Sequence, residues 1–206
     1  MKRSGSSKRW LREHVDDAYV QRARREGYRS RAAYKLMAID DADHLLRPGS
    51  VVVDLGASPG GWSQVAVERL QGRGRVIAVD LLPLLHLGGV TFLQGDFREE
   101  SVLRRLETEL ADDQVGLVLS DMSPNLSGIA ICDQARSLHL AELALAFASS
   151  WLQPEGAFLV KLFQGYGYDD YLLAMRQVFK TVTTHKPSAS RDRSAERYVL
   201  GRNLKT

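Results

Sequence analysis

The stretch from Val51 to Ser63 constrains the fold of this 206-residue chain more than any other. It reads VVVDLGASPGGWS, a short apolar run followed by a turn with three glycines. A run of β-branched residues suits a strand that is covered on both faces, and glycines let the backbone turn tightly and approach a ligand closely. The sequence therefore predicts a buried strand, a ligand-binding turn and then a helix.

The spacing of the glycines narrows the class of ligand. A dinucleotide fingerprint needs Gly-x-Gly-x-x-Gly, in which the middle glycine admits a pyrophosphate onto a helix N-terminus. Here Ala57, Ser58 and Pro59 stand between Gly56 and Gly60. This spacing disfavours NAD and favours a cofactor without a pyrophosphate, such as S-adenosylmethionine.

An acidic residue ends or follows each of four predicted strands. These residues are Asp54, Asp80, Asp96 and Asp121. Because the carboxyl ends of parallel strands line the ligand crevice of an open sheet, we expect the four carboxylates to converge on one site. Asp80 has the spacing of an acid that binds ribose hydroxyls. Any one of them, taken alone, could instead be a helix cap or a turn aspartate.

Strand and helix patterns alternate along the chain and predict an α/β fold. The predicted strands cover 51–55, 75–79, 90–94, 115–120, 157–162, 181–185 and 197–200, and the helices between them cover 61–70, 99–110, 133–152 and 168–179. Two short helices, 16–25 and 30–42, precede this core, the second with Ser30 as its N-cap. We expect a mostly parallel, doubly wound, seven-stranded sheet with helices on both faces. No helix precedes the last strand, so we expect that strand to be antiparallel.

Length and composition predict one domain over residues 1–206, with a mobile basic tail at 1–12 and helices in 16–43. The basic start is not followed by an apolar segment that would make a secretory signal, and no segment is apolar enough to span a bilayer. Cys132 is the single cysteine and the five histidines lack metal-ligand spacing. We therefore expect a cytoplasmic protein without a disulfide or a metal.

Charge is distributed unevenly around the formal net value of +3. Residues 1–35 carry a net +7, residues 36–179 a net −9 and residues 180–206 a net +5. Basic ends around an acidic middle favour a polyanionic partner, and nucleic acid is the obvious one. The alternative is a solvated basic tail without a partner.

Several motifs, in order, resemble the FtsJ family of RNA 2′-O-ribose methyltransferases over nearly the whole chain. They are SRAAYKL from Ser30, DLGASPGGWS from Asp54, DL from Asp80, GDF from Gly95, DMSPN from Asp121 and KLFQG from Lys161. The likeness is greatest to bacterial members, which implies a uridine in the A-loop of 23S ribosomal RNA, within the large subunit, as the target. Ser58 and Ser123 replace the more usual alanines, and segment 82–89 matches less well.

This resemblance implies a Rossmann-like fold, S-adenosylmethionine as methyl donor and a catalytic tetrad. The matching tetrad positions are Lys35, Asp121, Lys161 and Glu196. Lys161 would accept or orient the 2′-hydroxyl proton, Asp121 would hold Lys161, and the other two would fix the ribose and the local charge. Without the resemblance, Lys35 would be interpreted as a solvated helix residue and Glu196 as a surface strand residue.

The resemblance also implies a set of cofactor-binding residues. Gly60 and Trp62 would border the methionine end, Asp80 would bind the ribose hydroxyls, Asp96 would reach the adenine, and Asp121 would lie by the methionine amino group. Trp62 could otherwise be a plain core aromatic.

The role of Lys161 has two interpretations. An ordinary lysine has a pKa of about 10.4, so roughly one in two thousand is neutral at pH 7. A neighbouring cation and burial favour the neutral form, whereas neighbouring carboxylates favour the charged form. Lys161 is therefore either the proton acceptor or a group that orients the hydroxyl while the proton leaves late or to water.

Three other functions compete with this interpretation. A DNA amino-methyltransferase would need a Pro-Pro-aromatic run after the fourth strand, where this chain has Ser123, Pro124 and Asn125. A non-enzymatic RNA chaperone or ribosome-assembly factor would need none of the tetrad, and another RNA such as tRNA could be the substrate. We expect no membrane contact, no obligate protein partner and a monomer.

Overall fold

The computed structural model describes residues 17–125, 127–191 and 193–205. The predicted mobile tail at 1–12 lies outside these residues. Within them no helix is long and apolar enough to cross a membrane.

Seven strands form one sheet. They are β1 (Val51–Leu55), β2 (Arg75–Asp80), β3 (Val90–Gln94), β4 (Val115–Ser120), β5 (Leu152–Phe163), β6 (Phe179–His185) and β7 (Glu196–Leu204). Their order across the sheet is β3-β2-β1-β4-β5-β7-β6. The pairs among β1 to β5 are parallel, and β7 is antiparallel to β5 and to β6. The predicted mostly parallel sheet with an antiparallel last strand is confirmed.

Six helices surround the sheet in the described residues. They are α1 (Ala18–Glu26), α2 (Ala33–Asp43), α3 (Gly61–Leu70), α4 (Glu100–Leu110), α5 (Ala130–Trp151) and α6 (Tyr168–Val178). Buried apolar residues of α4, α5 and α6 join one core cluster, whereas those of α3 and most of those of α2 join a second. Helices therefore cover both faces of the sheet, as the sequence predicts.

Strand periodicity decides which side chains meet on each face. In β5, Phe158 and Val160 belong to the core under α4 to α6, and Leu159 belongs to the core under α2 and α3. Because successive strand residues point to opposite faces, Lys161 lies on the same face as Leu159, towards α2 and α3. This alternation places the polar end of β5 beside the N-terminal helices.

Most helix ends differ from the predicted bounds by one to three residues, and one predicted helix cap is wrong. Asp17 caps α1, since its carboxylate accepts from the backbone N–H groups of Tyr19 and Val20 at 3.0 and 3.3 Å. Ser30, however, does not cap α2: that helix begins after Ala32 and has no side-chain cap. The prediction was wrong because residues 30 to 32 form a turn ahead of the helix, with Ser30 packed against the glycine turn at Gly61.

Candidate active site

Four charged side chains and one tyrosine meet where β4 and β5 end, on the face covered by α2 and α3. We call this group the charged cluster; it consists of Lys35, Asp121, Lys161, Glu196 and Tyr198. The antiparallel register of β5 and β7 pairs Lys161 with Tyr198 and Phe163 with Glu196. Because residues two apart on a strand share a face, Glu196 and Tyr198 both point towards Lys161 and α2.

Lys161 is surrounded by three oxygen acceptors. Its Nζ lies 2.9 Å from Asp121 Oδ1, 2.7 Å from the Asp121 backbone oxygen and 2.6 Å from Ser123 Oγ. An ammonium group has three N–H donors, and all three have an acceptor here. The side chain of Lys161 is only 7% exposed. This environment fixes the position of the Lys161 ammonium group.

Lys35 and Glu196 form the second ion pair of the cluster. Their Nζ and Oε1 atoms are 2.7 Å apart, and the side chains are 13% and 11% exposed. The structure therefore excludes a solvated helix face for Lys35 and a surface strand position for Glu196. Burial raises the pKa of Glu196, but the Lys35 ammonium, with a smaller contribution from Lys161, outweighs burial and lowers it overall.

Tyr198 joins the two ion pairs and was missed by the sequence analysis. Its hydroxyl accepts from Lys35 Nζ at 3.2 Å and donates to Asp121 Oδ1 at 3.3 Å. Burial, together with the nearby carboxylates, raises the pKa of Tyr198 well above its usual value, so the hydroxyl keeps its proton. The signal was present in the sequence, since Tyr198 stands two residues after Glu196 on a predicted strand.

The glycine turn lies against the neighbouring strand end. Gly56 has a φ of +82°, and a Cβ there would be 2.7 Å from the backbone N and Cα of Met122. Gly60 has a φ of +111° and serves as the N-cap of α3. Both positions therefore need glycine, because Met122 fills the space beside Gly56, and Arg29 and Leu84 lie beside Gly60.

Asp80 faces the turn from the end of β2. Its Oδ2 accepts from the Ser58 backbone N–H at 2.8 Å, and its Oδ1 accepts from the Leu82 backbone N–H at 2.7 Å. Each carboxylate oxygen can accept more than one hydrogen bond, so capacity for two ribose hydroxyls remains. The donors hold the carboxylate in place before any ligand binds.

Asp96, after β3, is engaged by an arginine. Arg98 Nη2 and Nε lie 2.6 and 3.1 Å from Asp96 Oδ2, and Nε lies 2.9 Å from Oδ1. These hydrogen bonds lower the pKa of Asp96. An adenine amino group would have to share this carboxylate with Arg98, and the predicted adenine contact stays a prediction.

Asp54 corrects the expectation that four carboxylates line the crevice. It is fully buried beneath α3, and Ser63 Oγ donates to its Oδ2 at 2.6 Å. Burial, opposed by the Ser63 hydrogen bond and reinforced by Asp121 and Asp80, raises the pKa of Asp54 to about 7. The prediction failed because Asp54 shares a strand face with Val52, which belongs to the core under α3.

Trp62 is placed as a core aromatic. It is 3% exposed, its Nε1 donates to the Ala32 backbone oxygen at 2.9 Å, and its ring centroid is 5.6 Å from that of Tyr198. The Trp62 ring thus packs against Tyr198 of the charged cluster. Its predicted contact with the methionine end of a cofactor stays a prediction.

A surface hollow of about 390 Å³ lies elsewhere, between α5 and α6. It is bordered by Leu138, Tyr166 and Tyr171, among others, and contains none of the predicted site residues. Hence the charged groups, rather than the hollow, locate the candidate site. Among the described residues, no group of three or more His, Cys, Asp or Glu is arranged to hold a metal ion.

Comparison with known proteins shows which proteins this chain is similar to. Residues 28–204 match the model of the FtsJ-like methyltransferase family. The chain is 60% identical over 205 residues to ribosomal RNA large subunit methyltransferase E of Dechloromonas aromatica and to the protein of that name from an Azoarcus species. Both alignments cover 100% of this chain and 100% of the relative. Identity to the Neisseria meningitidis protein of that name is 56% over 201 residues, which is 98% of each chain.

Solved structures share the fold. A crystal structure described as a ribosomal RNA methyltransferase from Plasmodium falciparum superposes with a TM-score of 0.78 at 28% identity, over 86% of this chain and 98% of that one. A Streptococcus mutans protein, crystallised with SAH, gives a TM-score of 0.51 at 12% identity, over 84% and 96% of the two chains. At that identity only the fold is shared.

Proposed function

Because the chain belongs to the FtsJ-like methyltransferase family, we propose that it methylates the ribose 2′-oxygen of a uridine in the A-loop of 23S ribosomal RNA, with S-adenosylmethionine as donor. The observation that carries the proposal is the charged cluster, in which Lys161 and Lys35 are each paired with a carboxylate beside the glycine turn. The relatives named ribosomal RNA large subunit methyltransferase E support the choice of RNA.

The residues at the glycine turn suit S-adenosylmethionine. Asp80 would hold the ribose hydroxyls, since its carboxylate is already oriented by two backbone N–H groups. Gly60 and Trp62 would border the methionine end, Asp121 would lie by the methionine amino group, and Asp96 would reach the adenine. When bound, S-adenosylmethionine supplies an electrophilic methyl group on a positively charged sulfur.

Lys161 would orient the ribose 2′-hydroxyl. All three of its N–H groups already have acceptors at 2.6 to 2.9 Å, and one of these, Ser123 Oγ, belongs to an exposed residue. The substrate oxygen would take the place of Ser123 as acceptor and would thereby be fixed for in-line attack. We propose this orienting role over a general-base role: the 2′-oxygen would bond to the methyl group as the methyl–sulfur bond breaks, and the hydroxyl proton would pass to water.

Lys35, Glu196 and Tyr198 would set the electrostatics around that oxygen. The Lys35 ammonium and the Lys161 ammonium both stabilise negative charge that develops on the 2′-oxygen, because the site is largely shielded from water. Glu196 and Asp121 keep the two cations in place, and Tyr198 links the pairs. No metal enters this mechanism.

The RNA would be held by the basic ends of the chain, and we propose a cytoplasmic monomer that acts on the large ribosomal subunit. Residues 1–35 and 180–206 carry a net +7 and +5. Lys and Arg side chains supply affinity for phosphates that depends on salt. Among the described residues, α1 contributes three arginines to this charge, and two of them, Arg24 and Arg25, lie exposed.

The test is methyl transfer to defined RNAs. Purified protein and labelled S-adenosylmethionine are incubated with large ribosomal subunits from cells lacking this protein, with naked 23S RNA and with tRNA. The modified nucleotide is then mapped by its resistance to alkaline cleavage. Label on one A-loop ribose supports the proposal. Label on a base, or on tRNA alone, would contradict it, and binding without transfer would favour an assembly factor.

A further inference from the structure

Loop 81–89 connects β2 to β3 directly beside the predicted ribose-binding residue. It contains no regular secondary structure, and it exposes Leu82 to 61% and Leu85 to 83%. Leu82 and Leu85 therefore add little stability through apolar burial, because they remain in contact with water. Polar contacts help to hold the loop beside Asp80, together with the half-buried Leu84 next to Gly60.

Arg29 supplies several of those contacts. Its Nη1 donates to the Leu85 backbone oxygen at 2.6 Å and its Nη2 donates to the His86 backbone oxygen at 2.6 Å. Nη1 also lies 3.4 Å from the Pro59 backbone oxygen, in the glycine turn. One planar guanidinium thus links the loop to the turn, which a single ammonium group could not do with the same geometry.

Arg29 is itself held in place by α3. Its backbone N–H donates to Gln64 Oε1 at 2.7 Å, and Gln64 Nε2 donates to the Gly27 backbone oxygen at 3.1 Å. The side chain then passes over Gly60, where a Cβ would lie 3.0 Å from Arg29 Cδ and Nη1. The absence of a side chain at Gly60 therefore leaves the path that Arg29 uses.

We propose that Arg29 is a positioning residue for the cofactor: it holds loop 81–89 against the glycine turn, so that Asp80 and the loop are ordered before S-adenosylmethionine binds. This inference rests on the proposed cofactor. Arg29 stands six residues before Lys35, so the same N-terminal segment orders the cofactor loop and carries a residue of the charged cluster. The resemblance to the family gave no role to this arginine.

Hydrogen exchange of the ligand-free protein tests the contact itself. In Arg29→Ala the backbone amides of 81–89 should exchange about tenfold faster, because local opening becomes easier by the free energy of the lost hydrogen bonds. Arg29→Lys should give an intermediate rate. Arg25→Ala, an exposed arginine on α1, is the matched control and should leave the loop unchanged. Equal loop exchange in Arg29→Ala and the parent protein would overturn the proposal.

Binding of S-adenosylmethionine in the absence of RNA tests whether the contact of Arg29 with the loop matters for the cofactor. Arg29→Ala should weaken S-adenosylmethionine binding about tenfold by calorimetry, and should raise KM for the cofactor by a similar factor while kcat changes less than about twofold. An unchanged cofactor Kd with weaker RNA binding would make Arg29 an RNA contact and would refute the positioning role. If the parent protein does not bind S-adenosylmethionine, the proposed function fails, whereas the exchange experiment still decides whether Arg29 holds the loop.

Discussion

The charged cluster and the cofactor edge around Asp80 are stabilised in different ways. In the cluster, side chain pairs with side chain: Lys161 and Asp121, like Lys35 and Glu196, are mostly shielded from water. At the edge, backbone N–H groups position Asp80, and the loop that follows it stays exposed.

This difference determines what a substitution does. Removal of one member of a buried ion pair leaves its partner without compensation in a poorly solvated place. At the exposed edge, water replaces much of what is lost. We therefore expect larger effects in the cluster than at the edge, and the following variants test that order.

Lys161→Ala should have the largest effect. Methyl transfer should fall about 100-fold or more, because the group that orients the substrate oxygen is lost, while cofactor and RNA still bind. Single-turnover transfer on ribosomal subunits measures this. A rate within about threefold of the parent's would remove Lys161 from the reaction.

Lys161→Arg separates the two roles of that residue. Arginine keeps the charge but does not lose its proton in a protein. An orienting role predicts a rate at least about tenfold above that of the alanine variant, whereas a general-base role predicts that the two variants are equally inactive.

The next largest expected effect is on stability and comes from Asp54, which is buried beneath both regions. Its pKa is raised from 3.8 to about 7 on folding, so the native state binds the extra proton between these values. The stability that this proton contributes is fully present below the unfolded-state pKa of 3.8, and it is lost as the pH rises through the folded-state pKa of about 7. The free energy of unfolding should fall by about 2 kcal/mol between about pH 5.5 and about 7.5 from this group.

Denaturant titration of the parent protein and Asp54→Asn measures the effect. The variant should lack this part of the pH dependence, although histidines contribute equally to both proteins. Parallel pH profiles for the two proteins would show that Asp54 does not titrate in this range.

Asp80→Ala should weaken cofactor binding by about 1.5 kcal/mol, or about tenfold, the lower part of the range for a charge-assisted hydrogen bond. We expect a loss of affinity in this lower part of the range because Asp80 is partly exposed to water. Asp80→Asn keeps an acceptor oxygen and should lose less. Calorimetry measures both, and unchanged affinity in a folded Asp80→Ala protein would place the ribose elsewhere.

Ser123→Ala should have the smallest effect. It removes one acceptor of Lys161 Nζ, and the substrate oxygen is expected to occupy that position during reaction. The rate should therefore change less than about threefold in either direction. A loss as large as that of Lys161→Ala would show that the Ser123 hydroxyl takes part in the transfer.

The sequence predicted the sheet well because its strands are short apolar runs bounded by turns. β1, β3 and β4 have the predicted bounds, and α3 does as well. The start of α2 was less predictable. Ser30 has the chemistry of an N-cap, but its side chain packs against Gly61 instead, and the helix begins at Ala33.

The candidate site was predictable where a motif carries it and not where only packing does. Lys161 and Asp121 stand at strand ends, so parallel topology brings them together. Tyr198 and Arg29 act through partners far along the chain, Asp121 and loop 81–89. No local pattern shows such pairs, because register and loop path are set by the whole fold.

The place of β7 in the sheet has a consequence for the order of events during biosynthesis. Glu196 and Tyr198 lie on the last strand, which is inserted between β5 and β6. A nascent chain can thus complete the glycine turn and Asp80 long before β7 leaves the exit tunnel. Until then Lys35 lacks Glu196 and Tyr198, and Asp121 lacks the Tyr198 hydroxyl. A chain released before β7 is made would have the cofactor edge but an incomplete charged cluster beside it.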